Sequence, residues 1–474
     1  LSERACRSGR SMKDSMIATP GQPAMYWRGW TGRQISVLAT LILVNIFNAI
    51  DRGILSILQQ PIKEDLLLSD WQLGILSGPA FAALYSVAGV PIARLADRGN
   101  RSLILAIAVS FWSMMTALCG LAQSYIHLLL CRIGVGGGEG ACTPTTHALI
   151  SSHFSARQRG FAMAVLTTSI PIAQMLAPLL GGYATAMWGW RTAFLIAGLP
   201  GLLVAVLVFF VLREQPGEED QERKQAASGS YWANVKQLLS YRPYLFLCLA
   251  SVFMGQALST TNAFSASFFM RQHGFTVAEA GWVMAAGLGI AGFTGTMLGG
   301  YLSDRFAGQH GRSYTYVCAL AAALGATFFF LTFRVESAAL AVVFVLLANV
   351  STDLKNGPNF AAAQNLAPPH MRATASAFMM VGVHLIGSSS GPVILGLVSD
   401  SFAAGAFPEA LGDFAQQCHG ALESRPQAVI DGCAEASAYG LGKALIIPCI
   451  SYCLSALFFF ASGRTTWNAI ERQD

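Results

Sequence analysis

Three pairs of charged side chains stand where charge is costly. Asp51 and Arg52 interrupt "NIFNAIDRGILSIL", Arg132 and Glu139 flank the glycines of "CRIGVGGGEGACTP", and Asp353 and Lys355 sit in "NVSTDLKNGP". A carboxylate pulled one way by burial and the other by a nearby arginine can change charge during a working cycle. A guanidinium grips a carboxylate or phosphate bidentately. Asp51 and Glu139 are therefore read as proton-responsive acids, and Arg52 and Arg132 as sites for an anionic head group. Arg132 and Glu139 are two helical turns apart on one face, about 10 Å along the axis. Asp51 and Arg52 differ by about 100° around theirs, so they face different partners. Asn48 shares the stripe of Arg52 and joins Asn262 as a candidate substrate contact. The competing reading of the charges is a salt-bridge network that only neutralises itself. Asp353 and Lys355 either line a cavity or pair with each other. His147 and His384 read first as hydrogen-bonded packing residues, and Gln256, like Asn262, as a polar residue of the cavity.

The elements that must hold these charges follow from composition. The chain has 474 residues, 54% of them hydrophobic and 12% charged, against about 25% charged in soluble domains. Apolar windows of about twenty residues recur almost end to end, as a bilayer core of about 30 Å requires of spanning helices. The 47 glycines suit close packing of membrane helices. The sequence predicts an all-α membrane protein with spans near 34–58, 70–93, 101–122, 125–149, 158–183, 190–212, 243–270, 277–302, 313–333, 338–362, 372–398 and 439–461. The polar break 213–242 separates a six-helix bundle, 34–212, from a second, 243–461. Segments 1–33 and 462–474 flank them, and a long outer loop covers 399–438. The short loops rich in Lys and Arg predict that both termini are cytoplasmic, in the inner (plasma) membrane. The basic N-terminal segment lacks the pattern of a secretory signal peptide.

The halves repeat one another. "VPIARLADRGNRS" matches "LGGYLSDRFAGQHGRS" on Leu95-Asp97-Arg98 and Leu302-Asp304-Arg305. "ALISSHFSARQRGFAMA" matches "AAAQNLAPPHMRATASA", and "APLLGG" matches "GPVILG". Two parallel halves related by an axis along the membrane normal are a transporter architecture. In the first pair of loops the acids can accept hydrogen bonds across the half interface, so Arg94, Asp97, Arg98, Arg101, Asp304 and Arg305 are read as a cytoplasmic gate. Of the ten cysteines, Cys418 and Cys433 share the outer loop, where an oxidising compartment permits a disulfide. No metal-ligand spacing, calcium loop or phosphate-binding glycine loop is found. Neither a resident cofactor nor an enzymatic activity is expected.

The loop "ARLADRGNRS", its echo "GGYLSDR" and the stretch "GWRTAFLIAGLPG" resemble the major facilitator superfamily over essentially the whole chain. "NAIDRGIL" together with "RIGVGGGEGACTPTTHALISSHF" is similar to the Spinster branch, including its bacterial members. Animal members of that branch export sphingosine-1-phosphate or handle lysophospholipids. The resemblance implies that Asp51 and Glu139 are protonation-linked carboxylates and that Arg52 and Arg132 lie near a lipid head group. The long cysteine-containing loop departs from the branch. The expected function is secondary transport of a lysolipid or sphingosine-1-phosphate-like amphiphile by a monomer, coupled to or gated by a proton gradient. A small organic anion or drug transporter of the same fold is the alternative, and a non-transporting receptor the third. No nucleic-acid partner is expected.

Overall fold

The computed structural model describes residues 30–82, 84–87, 92, 100–212, 231–306, 313–368, 371–419 and 426–470, and every regular element among them is helical. Nine stretches are long and apolar enough to cross a membrane. One of them, 158–211, is two crossings, because the chain turns at Gly189 with φ +83°, a conformation that costs glycine nothing. The helical segments of 70–87 and of 125–153 supply two more. The described residues thus make twelve crossings in two sets of six.

Local chemistry sets the boundaries. Span one, Gly32–Leu66, opens on a capping box between Thr31 and Gln34 and closes at Leu67 in the left-handed region. Span two opens on a second box, Ser69 with Gln72. Span four is broken into Tyr125–Glu139 and Cys142–His153, and span ten into Ala338–Asp353 and Asn356–Asn365. Spans eight and eleven each carry a π-helical turn, Ala286–Ala291 and Val383–Ser388.

Two faces can be distinguished. The terminal face carries the start of span one and the end of span twelve, Ile446–Ile470. The opposite face carries the one–two connection and the ends of spans seven and eleven, Arg242–His273 and Ser389–Ala406. Residues 399–438, expected as a loop, are largely helical there. Span eleven runs on to Ala406, and helices Phe414–Cys418 and Gln427–Ala444 follow. Ala403, Phe407, Phe414, Val429 and Ala436 give this cap a small apolar core, tied by a disulfide between Cys418 and Cys433. Hydropathy missed these helices because they bury a small local core instead of meeting lipid. In the 213–242 break, Tyr231–Ser240 is a short helix ahead of span seven.

Candidate functional site

The charges of spans one and four meet. Arg52 Nε donates to Glu139 Oε2 at 2.5 Å, with Glu139 fully buried and the Arg52 side chain 31% exposed. Arg132 Nη1 donates at 3.1 Å to the backbone carbonyl of Asp51 and not to its buried carboxylate, beside which the Thr116 hydroxyl is the side-chain donor. Asn48 is buried on the same face of span one. One acid is therefore paired and the other is not, which follows from the angular offset of Asp51 and Arg52.

Span two supplies a lid of aromatic rings. The Arg52 guanidinium lies 4.5 Å from the Tyr85 ring centroid and 5.1 Å from that of Phe81, and Arg132 lies 5.5 Å from Phe81. Such contacts stabilise a guanidinium through the negative face of the ring. Span two reaches this position because span four is bare at Gly136, where a Cβ would collide with the backbone carbonyl of Phe81. From the other half, His384 packs edge-on against Tyr85 at 5.8 Å. Neither aromatic stood out in a sequence in which one residue in nine is aromatic.

A second cluster joins the two halves at the face opposite the termini. Asp70, 1% exposed, accepts four hydrogen bonds: from Lys63 Nζ at 2.6 Å, from Arg271 at 2.8 and 2.9 Å, and from Ser399 Oγ at 2.6 Å. Arg271 also donates to Gln60 at 2.6 Å. In return Asp400 accepts the backbone N–H groups of Asp70 and Trp71 at 3.0 and 2.9 Å. Those are free donors of the first turn of span two. A carboxylate of one half thus caps a helix of the other. These contacts form a latch that closes this face. Local spacing can suggest only the Lys63–Asp70 pair, because the cross-half partners lie some 200 to 330 residues away in sequence.

The remaining candidates are placed as follows. Asn262 is half-buried on span seven, outside the hydrogen bonds of the charged cluster. Gln256 accepts from Ser451 and donates to Ser390, within its own half. Asp304 accepts from Tyr314 at 3.3 Å, also within its own half, and Arg305 is exposed beside it. Arg101 opens span three. Arg94, Asp97 and Arg98 lie outside the described residues. Asp353 and Lys355 do not touch; Asn356 stands between them. Among the described residues no group of three or more His, Cys, Asp and Glu side chains is arranged to hold a metal ion.

Comparison with known proteins places this geometry. The family model for the Major Facilitator Superfamily matches residues 41–392. The chain belongs to that superfamily. An MFS-type efflux pump of Mycolicibacterium smegmatis is 34% identical over 383 residues, covering 80% of this chain and 88% of that protein. Protein spinster homolog 1 of Xenopus tropicalis is 25% identical over 397 residues, covering 80% and 75%. A crystal structure of a bacterial homologue of the human lysosomal transporter Spinster, inward-facing and unoccupied, superposes with a TM-score of 0.81 at 27% identity, covering 93% of this chain and 99% of that one. The protein is a Spinster-like member of the superfamily, a membrane transporter and not an enzyme.

Proposed function

We propose that this transporter moves a lysolipid or sphingosine-1-phosphate-like amphiphile by alternating access and couples that movement to protons. The observation that carries the reading is the Arg52–Glu139 pair, with its base one-third exposed under Tyr85 and its acid fully buried. An anionic head group competes with Glu139 for Arg52, and a proton on Glu139 releases Arg52 to it. Phe81 and Tyr85 offer apolar surface beside the head-group site. Asp51, buried and without a base bonded to its carboxylate, is the second proton acceptor. On this reading both termini are cytoplasmic, the membrane is the inner (plasma) membrane, and the latch closes the outer face. Asp97 and Asp304 take up cross-half contacts when the cycle reverses.

The alternative is export of a small organic anion or drug by the same pair, and similarity to an MFS-type efflux pump favours it. One experiment separates the two. Purified protein in proteoliposomes is offered lysophosphatidic acid, sphingosine-1-phosphate, lysophosphatidylcholine and a panel of hydrophilic organic anions, with and without a pH gradient. Gradient-dependent flux of the amphiphiles, lost in Glu139→Gln, is expected. Flux confined to the hydrophilic anions rejects the lipid assignment. Flux indifferent to pH rejects the coupling.

A further inference from the structure

Span four and span ten are built to one plan. In span four the first helical segment ends on Glu139, Gly140 and Ala141 keep helical dihedrals while the hydrogen-bond ladder is interrupted, and Pro144 is the third residue of the next segment. In span ten the first segment ends on Asp353, Leu354 and Lys355 likewise stay helical across the interruption, and Pro358 is again third. Each proline follows its acid by five residues, in "EGACTP" and "DLKNGP". Each removes the N–H that would bond back to the carbonyl just after the acid, Gly140 in one and Leu354 in the other. Side-chain identity hides this match; spacing and the paired helix breaks reveal it.

The surroundings of Asp353 make it a site and not only a kink. Asn356 Nδ2 donates to Asp353 Oδ1 at 3.0 Å and to Thr296 Oγ1 of span eight at 2.9 Å. Lys355, 9% exposed, donates from Nζ to Asn356 Oδ1 at 3.0 Å. A single amide therefore separates a carboxylate from an ammonium. Span eight makes room for the acid at Gly292, where a Cβ would come within 2.6 Å of Asp353 Oδ2. The other titratable groups facing this pair are the Tyr452 hydroxyl from span twelve, beside Asp353, and the Cys318 thiol from span nine, beside Lys355. Broken membrane helices often expose oxygens to a metal cation. Here the ammonium of Lys355 already occupies the amide oxygen such a cation would use, which leaves a proton as the ion to be exchanged.

We propose that Asp353 is a further coupling carboxylate beyond Glu139 and Asp51, the counterpart in the C-terminal half of Glu139, with Lys355 as its resident base. The carboxylate binds one proton as the halves rock and releases it on the return, so each half carries one acid–base couple at its helix break. This rests on the proton-coupled reading above and extends it to the other half.

Proton uptake by the purified full-length chain in nanodiscs between pH 8 and pH 5 tests it without any ligand. Asp353→Asn takes up about one proton fewer than the wild type if this carboxylate titrates in that window. Lys355→Met moves the midpoint to higher pH, since an ammonium no longer favours the charged acid. Asp353→Glu, which keeps the acid, retains the uptake and serves if the Asn variant fails to fold. In proteoliposomes with a fluorescent lysophosphatidic acid, Asp353→Asn flattens the pH profile of flux, and replacing sodium with choline changes nothing. Wild-type uptake together with a wild-type pH profile in Asp353→Asn overturns the proposal, as does a requirement for sodium. Glu139→Gln is measured in parallel. Its failure to alter uptake counts against the first coupling site alone, so the two readings fail separately.

Discussion

Asp70 and Asp51 are both buried in the N-terminal half, and both have two basic side chains nearby. Asp70 accepts four hydrogen bonds, three of them from the opposite half. Asp51 takes none from a base on its carboxylate, since Arg132 turns to its backbone carbonyl instead and the neutral Thr116 hydroxyl is the donor beside it. Donors aimed at an ionised acid favour its charged form, so Asp70 is fixed in charge and can hold two bodies together. No charged donor fixes the charge of Asp51 in that way; the neutral Thr116 hydroxyl stands beside it. Equal burial thus serves opposite ends, a clamp in one place and an exchangeable charge in the other, and the count of donors tells them apart.

The strongest way to break this contrast is at the clamp. Asp70→Asn leaves Lys63 and Arg271 without their shared carboxylate and with Asp400 nearby to offset them only in part, at a cost of about 3–5 kcal/mol. The melting temperature in detergent is expected to fall by several degrees, and an unchanged value would reduce the latch to an ornamental surface pair. Cys418→Ser comes next. The disulfide closes a short loop, and its loss is worth about 2–3 kcal/mol to the cap. Amide exchange in 427–444 should rise with little change in the spans. Asp51→Asn should cost only about 1 kcal/mol, because one neutral hydroxyl contact from Thr116 is at stake and no base is unpaired, yet it should flatten the pH dependence of flux. A loss of stability as large as that of Asp70→Asn would erase the distinction between the two acids. The smallest effect concerns His419 of the cap. Burial first, and then the charge of Lys63, push its imidazole below the ordinary range. The unfolded chain takes up that proton near about pH 6.5 and the folded cap does not. Cap stability is therefore present above that pH and declines as pH falls through it. Melts at pH 7.5 and 5.5 should differ less in His419→Gln than in the wild type.

Much of the frame was legible in the sequence, and the reason is energetic. A charge inside an apolar window is expensive enough to be conspicuous, so Asp51, Arg52, Arg132 and Glu139 stood out before any contact was known. Twelve apolar windows and a repeated loop were enough for the fold. Which base meets which acid was not legible, since Arg52 reaches Glu139 only through the angle at which spans one and four cross. The latch escaped because Lys63, Asp70, Arg271 and Asp400 lie at helix ends, where charge is ordinary. Tyr85 and Phe81 escaped because an aromatic ring among apolar neighbours gives no local sign that a guanidinium lies over it.

The cap that Asp400 places on span two has a measurable consequence. The amides of Asp70 and Trp71 are sheltered by a residue of the other half, whereas the next donor, Gln72, is sheltered by Ser69 of its own. Whenever the halves part at this face, the first two amides lose their acceptor together while Gln72 keeps its own. Their exchange with deuterium therefore tracks how much of the time this face is open, and the exchange of Gln72 does not. Three consecutive backbone hydrogens form an internal gauge of the open state, readable without a label and without knowledge of the cargo.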